Sequence, residues 1–162
     1  MHAIRLPPAT AISAPFWSGL CERRLRLQRC SDRGHWVFYP RRHCPRCAAT
    51  ALDWHEVSGQ GRLLSYTIAR VPPLPEFTGP EPVVLAVVEL DEGVHLNTNL
   101  VDVAPEAIAI GMRVAPVFVP ALDHAGSAAM RLCFAARAET QCVRKTARPA
   151  RVVSADPGGQ LR

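Results

Sequence analysis

The residues best suited to chemistry lie between positions 28 and 47, where Cys30, Cys44 and Cys47 gather within one short segment. Cys44-Pro-Arg-Cys47 has the Cys-x-x-Cys spacing of a metal knuckle, a turn that aims two thiolates at one tetrahedral cation. A second such turn would complete a zinc ribbon. Its place is taken by Cys30-Ser31-Asp32-Arg33-Gly34, with one cysteine and an arginine that would repel a cation. The donors in reach to complete a three-thiolate site are His35, His43 and Asp32, and His35 joins Cys30, Cys44 and Cys47 in the expected metal set. The competing expectation is a metal-free ribbon held by Trp36, Phe38 and Trp54, its cysteines buried as small apolar groups.

No second constellation of this kind occurs. Cys21, Cys133 and Cys142 are possible nucleophiles and His55, His95 and His124 possible bases, but no two of them form a recognisable signature. Cys133, between Leu132 and Phe134, reads as core. Glu89 and Asp91 fall at a strand end and in a turn, so no carboxylate pair for acid–base work is implied. No catalytic residue is assigned.

The elements around the knuckles read mainly as β. The chain of 162 residues has 15 prolines and 10 glycines, which favours turns and short strands and allows one main core with a small module on it. Pro15 to Leu27 predicts a short amphipathic helix running into a strand, with Pro15 in the first turn, where its missing N–H has no partner to lose. Ala48 to Glu56 predicts a returning strand with Leu52, Trp54 and Glu56 on one face. Gly59-Gln60-Gly61 marks a bulge or tight turn, and strands follow at Leu64 to Ile68, Val83 to Leu90, Val94 to Val101, Val114 to Val119 and Met130 to Ala138. Asp91-Glu92-Gly93 supplies turn chemistry between two of them. Five or six short strands with a helical turn near Pro105 predict a small Greek-key barrel of the OB type. The expected organisation is an arm and helix over 1–27, a degenerate ribbon over 28–56, a barrel over 57–138 and a flexible basic tail over 139–162.

The net charge of +5 is unevenly spread. Residues 1–56 carry nine arginines against four acidic residues, residues 57–138 five against eight, and residues 139–162 five basic against two acidic. An anionic ligand should therefore approach the ribbon or the tail, and Arg41, Arg42 and Arg46 are the expected contacts for phosphates. A nucleic-acid-binding ribbon and barrel is the alternative function class. The barrel is net negative and holds only Tyr66, Phe77, Phe118 and Phe134 as aromatics, a poor match to an interleaved basic and stacking surface. The apolar run Pro82 to Val88 is far short of the roughly 20 residues that cross a bilayer. Residues 1–15 show no compact apolar signal segment, and the isolated cysteines fit reduced thiols, so a cytoplasmic setting is expected.

In order and spacing, several short stretches resemble a known family. They are Pro15-Phe16-Trp17, Gly19-Leu20, Leu27-Gln28-Arg29-Cys30, Tyr39-Pro40, Cys44-Pro45-Arg46-Cys47, Ser58-Gly59-x-Gly61, Ser65-Tyr66-Thr67, Val87-x-Glu89-Leu90, Thr98-Asn99-Leu100 and Gly111-Met112-x-Val114. From about Pro15 to Val119 the chain is similar to the acyl-CoA-associated zinc-ribbon and OB-fold proteins, long classed as a domain of unknown function. The resemblance implies a rubredoxin-like ribbon and an OB barrel. It also implies a non-catalytic accessory subunit that partners thiolase-like or hydroxymethylglutaryl-CoA-synthase-like (HMG-CoA-synthase-like) enzymes, bridges subunits and helps hold an acyl-CoA thioester. Zinc is the implied metal. Arg33 departs from the family pattern by standing where its second knuckle cysteine belongs.

Overall fold

A computed structural model describes residues 4–71 and 82–137. The proline-rich loop expected between Val71 and Pro82 falls almost wholly outside the described residues, as does the basic tail. One helix, α1 (Ala14–Cys21), precedes β1 (Leu25–Cys30), β2 (Trp36–Val37) and β3 (Leu52–Val57). These three strands form a sheet in the order β2-β1-β3. Then come β4 (Gly61–Ala69), β5 (Val83–Leu90), β6 (His95–Leu100), a 3-10 turn at Pro105–Ala107, β7 (Arg113–Leu122) and β8 (Ala128–Ala136). They close into a barrel in the order β4-β5-β6-β8-β7, with β7 returning to β4. This is the OB arrangement that the strand pattern predicts.

The helix forms where Pro15 fits its first turn, and it buries Phe16, Gly19 and Leu20. Gly19 is needed there because a Cβ would come within 2.8 Å of the Arg24 carbonyl oxygen. Strand β5 alternates partly and fully buried residues along its whole length, so Val84, Ala86, Val88 and Leu90 line the barrel interior. Phe16 and Leu20 of α1 and Leu25 and Leu27 of β1 lie in the same cluster as Leu63, Val88, Val114 and Phe134 of the barrel. Ribbon and barrel are thus built on one core. Trp36, Phe38 and Trp54 pack against that core, while Cys30, Val37 and Cys44 make a small second cluster under the knuckles.

Three details go beyond the expectation. Gly59, with φ +66°, makes the turn, but the bulge lies further on, between Leu63 and Ser65. There Leu64 is skipped by the β5 register, and Leu63, opposite Val88, exchanges backbone hydrogen bonds with Met112 (3.0 Å) and Gly111 (2.7 Å), which lets β4 serve two neighbours and close the barrel. Strand β7 runs on to Leu122, past Pro116 and Pro120. It pairs with β8 throughout but with β4 only at Arg113 and Val114, so the prolines lie where its other edge has no barrel strand. The N-terminal arm is docked: Leu6 N–H donates to the Leu122 carbonyl at 2.8 Å, and Leu122 N–H donates back to the Ile4 carbonyl at 3.0 Å.

Candidate functional site

The two knuckle turns are built alike. Cys30 N–H donates to the His35 carbonyl (2.8 Å), and Gly34 N–H donates to the Cys30 carbonyl (2.7 Å). Fourteen residues on, Cys44 N–H donates to the Ala49 carbonyl (2.8 Å), and Ala48 N–H donates to the Cys44 carbonyl (2.9 Å). Each turn closes on a residue of positive φ, Gly34 at +68° and Ala48 at +58°. In this correspondence Cys30 matches Cys44, and Arg33 matches Cys47. The fold itself therefore puts the arginine where the fourth thiolate of a symmetric ribbon would stand.

The sulfurs of Cys30, Cys44 and Cys47 lie within 4.8 Å of one another. Cys30 Sγ and Cys47 Sγ are 3.6 Å apart, close to the edge of about 3.8 Å expected for a tetrahedron with Zn–S bonds near 2.3 Å. His35 Nδ1 meets the cluster at Cys44 Sγ, at 3.8 Å, without joining the mutually close set. Asp32, Arg33 and His43, the other residues weighed near the site, are exposed. Backbone N–H groups electrify the turn: that of Arg46 is the main cause that lowers the Cys44 thiol to about 6, with burial opposing and His35 and the Cys47 N–H assisting. Cys47 is pulled down by the Ala49 N–H, but desolvation and its neighbours Cys44 and Cys30 outweigh this and hold it above the usual thiol value. Three clustered sulfurs, one already favouring the thiolate, are a donor set that suits zinc. Cys44 is only 2% exposed, so its contact with His35 lies within the ribbon rather than at its surface.

Arg41, Arg42 and Arg46 expose their side chains around the knuckle. Two have a structural role through the backbone. Gln28, the buried polar residue of β1, accepts from Arg41 N–H (2.7 Å) and donates to its carbonyl (3.1 Å), and the Arg46 N–H serves Cys44.

A cleft of about 510 Å³ opens where α1, the segment after β2 and the barrel meet. Phe16, Trp17, Phe38 and Tyr39 supply an aromatic wall, and Asn99 and Arg131 are among its polar groups. Strands β6 and β8 pair at the single register point Leu100–Phe134, so side chains join the rest of the seam: Arg131 donates to Asn99 Oδ1 at 3.1 Å, and Thr98 Oγ1 donates to the Leu132 carbonyl at 3.3 Å. Among the described residues, no carboxylate forms an ion pair with Arg131. Sequence reasoning missed Arg131, although one arginine in the apolar strand Ala128–Ala136 was a usable signal. Arg41, Arg42 and Arg46 do not line this cleft.

Cys21 is exposed, Cys133 is fully buried as expected for core, and Cys142 lies outside the described residues. His55 stacks edge-on against Trp36 with ring centroids 5.9 Å apart, and His95 lies 3.5 Å from Glu89. Of the barrel aromatics among the described residues, Phe134 is buried and Tyr66 and Phe118 are partly buried against the core. Among the described residues, no helix is long and apolar enough to cross a membrane.

Ribbon and barrel together define a zinc-ribbon and OB-fold protein. Residues 17–53 match the family model of the ChsH2 rubredoxin-like zinc ribbon domain, and residues 54–119 that of the ChsH2 C-terminal OB-fold domain. The chain belongs to this ChsH2-type DUF35 family. It is 36% identical over 104 residues to a "DUF35 domain-containing scaffold protein" of Methanocaldococcus jannaschii, covering 63% of this chain and 73% of that one. It is 39% identical over 135 residues to a "Probable enoyl-CoA hydratase alpha subunit" of Thermomonospora curvata, covering 75% of this chain but only 42% of that longer protein. Among solved structures, a chain of the "Ltp2-ChsH2(DUF35) aldolase" matches with a TM-score of 0.69 and 34% identity, over 81% of this chain and 98% of that one.

Proposed function

We propose that this chain is an accessory subunit of a thiolase-superfamily complex acting on CoA thioesters, in which it bridges catalytic subunits and helps hold the acyl-CoA. The observation that carries the reading is the match to nearly the whole of one chain of the Ltp2-ChsH2(DUF35) aldolase at 34% identity. The related "Probable enoyl-CoA hydratase alpha subunit", named for a CoA thioester, supports that substrate class. Exposed Arg41, Arg42 and Arg46 suit CoA phosphates, and the aromatic cleft beside α1 suits an apolar acyl or pantetheine arm. The partner enzyme, of thiolase-like or HMG-CoA-synthase-like type, carries the nucleophile. The setting is the cytoplasm, where thiols stay reduced.

Co-expression with a thiolase-like enzyme, followed by size-exclusion chromatography and an acyl-CoA assay, tests this. The expected result is a hetero-oligomer with turnover only when both chains are present. Turnover by the single chain, or a monomer that ignores its partner, would overturn it.

A further inference from the structure

Three thiolates leave one position of a tetrahedral ion open, and the usual supplier of the fourth donor is lost. Residue 33, equivalent to Cys47, is an exposed arginine. Asp32 and His43 are exposed as well. His35 differs: it is half-buried, its carbonyl is tied to Cys30 N–H at 2.8 Å, and its Nδ1 stands 3.8 Å from Cys44 Sγ.

His35 is thus the nitrogen donor nearest to a mixed set, in contact with one of the three sulfurs. With Zn–S bonds near 2.3 Å and a Zn–N bond near 2.0 Å, a tetrahedral site has S···S edges of about 3.8 Å and S···N edges of about 3.5 Å. The contacts Cys30–Cys47 at 3.6 Å and Cys44–His35 at 3.8 Å come near two of these edges, while His35 stands outside the set of donors that lie within 4.8 Å of one another, so its ring must turn further in to close the site. The matching position in the other turn is Ala49, which has no donor side chain, so the imidazole is a feature of the Cys30 turn alone.

We propose that His35 Nδ1 is the fourth ligand of a Cys3His zinc centre, the donor having moved two residues along the Cys30 turn from the position now held by Arg33. A neutral imidazole in place of a thiolate leaves the centre one negative charge short of a four-cysteine site. Gly34, with φ +68°, is the hinge that turns His35 back towards the cluster. This assignment stands whether or not the chain serves as a CoA-complex subunit.

Metal-free protein titrated with Co²⁺, then with competing Zn²⁺, reads the ligand set directly. The wild type should give the intense visible bands of a tetrahedral ion with three sulfur ligands and one nitrogen. His35→Ala should lose that spectrum and weaken zinc binding at least about tenfold, while His43→Ala and Asp32→Ala leave both unchanged. The double variant Arg33→Cys with His35→Ala should regain a tetrahedral centre with the spectrum of four sulfurs, which separates loss of a ligand from loss of fold. A His35→Ala protein with the wild-type spectrum and affinity, a wild type that binds no Co²⁺, or a loss that follows His43 or Asp32 would each overturn the assignment.

Discussion

Arg33 and Cys47 hold the same position in two turns with the same hydrogen-bond pattern, three residues after Cys30 and Cys44 respectively. The equivalence extends to the positive-φ residue that follows each, so the first knuckle has the backbone form of the second without its second thiolate. Arg33→Cys should therefore need no rearrangement of the turn to complete a four-cysteine site. The expected outcome is tighter zinc binding by competition titration, with co-elution with a partner unchanged. A variant that binds zinc no better would mean the turn no longer aims residue 33 at the cluster.

The same equivalence exposes a local strain. Gly34 tolerates φ +68° freely, whereas Ala48 carries a Cβ at φ +58°, which costs about 1 kcal/mol for an L-residue. Ala48→Gly should raise stability by about 0.5–1 kcal/mol in urea unfolding, offset in part by the greater freedom of glycine in the unfolded chain. Gly34→Ala should lower it by a similar amount through backbone strain alone, because the nearest side-chain atom to a new Cβ, on Arg29, is 3.5 Å away.

Much of the fold was legible because its cues are local. β-branched runs, the Asp91-Glu92-Gly93 turn and Pro15 at a helix start act within a few residues, and the strands formed where these put them. The cysteine cluster was legible for the same reason, since the spacing Cys44-x-x-Cys47 fixes a turn. The bulge between Leu63 and Ser65 was not, because it arises from the demand that β4 pair with both β5 and β7, a condition of barrel closure that no window of sequence contains. The cleft escaped likewise: Trp17, Tyr39, Asn99 and Arg131 are brought together only when α1 docks on the seam between β6 and β8.

Gly61 is a further product of closure. A Cβ there would collide with the Glu89 carbonyl oxygen and come within 3.0 Å of Leu90 Cα, both backbone groups of the neighbouring strand that cannot swing aside. Gly61→Ala should cost about 2 kcal/mol or more by shifting the β4–β5 register. Gly93→Ala has open space and only an adverse φ of +78°, so a cost of about 1 kcal/mol is expected. Urea midpoints of the two variants in that order support the packing account, and the reverse order contradicts it.

Acid should loosen the same end of the barrel. The Arg113 guanidinium, bonded to Asp91 through 2.8 and 2.7 Å contacts, holds the Asp91 carboxyl below the ordinary carboxylate range. Arg62, seconded by His95, does so for Glu89. A carboxyl lowered by folding stabilises the native state fully above its unfolded pKa, near 4, and the gain is lost as pH falls through the lowered native value. Because Arg113 and Asp91 are 33% and 49% exposed, solvent limits the pair to roughly 1 kcal/mol or less. Arg113→Met should thus destabilise the protein at pH 7 by that amount. Its deficit against the wild type should shrink as pH falls below about 4 and in high salt.

The arginines of the knuckle separate binding from folding. The Arg41 backbone is held by the Gln28 side chain and the Arg46 N–H by the Cys44 sulfur, so neither structural contact uses a guanidinium. Replacing Arg41, Arg42 and Arg46 together by Ala should leave the thermal midpoint within about 2 °C of wild type, as expected for exposed side chains. Gln28→Ala, which strips a buried amide from two backbone groups, should cost 1–3 kcal/mol, about the penalty for leaving such groups unpaired. The triple variant should weaken CoA binding to the assembled complex about tenfold or more at low ionic strength, with the difference narrowing as salt is added. Calorimetric titration of CoA against wild-type and variant complexes measures it. Equal affinities at low salt would move the phosphate site away from the knuckle and leave Arg131 as the cation to test next.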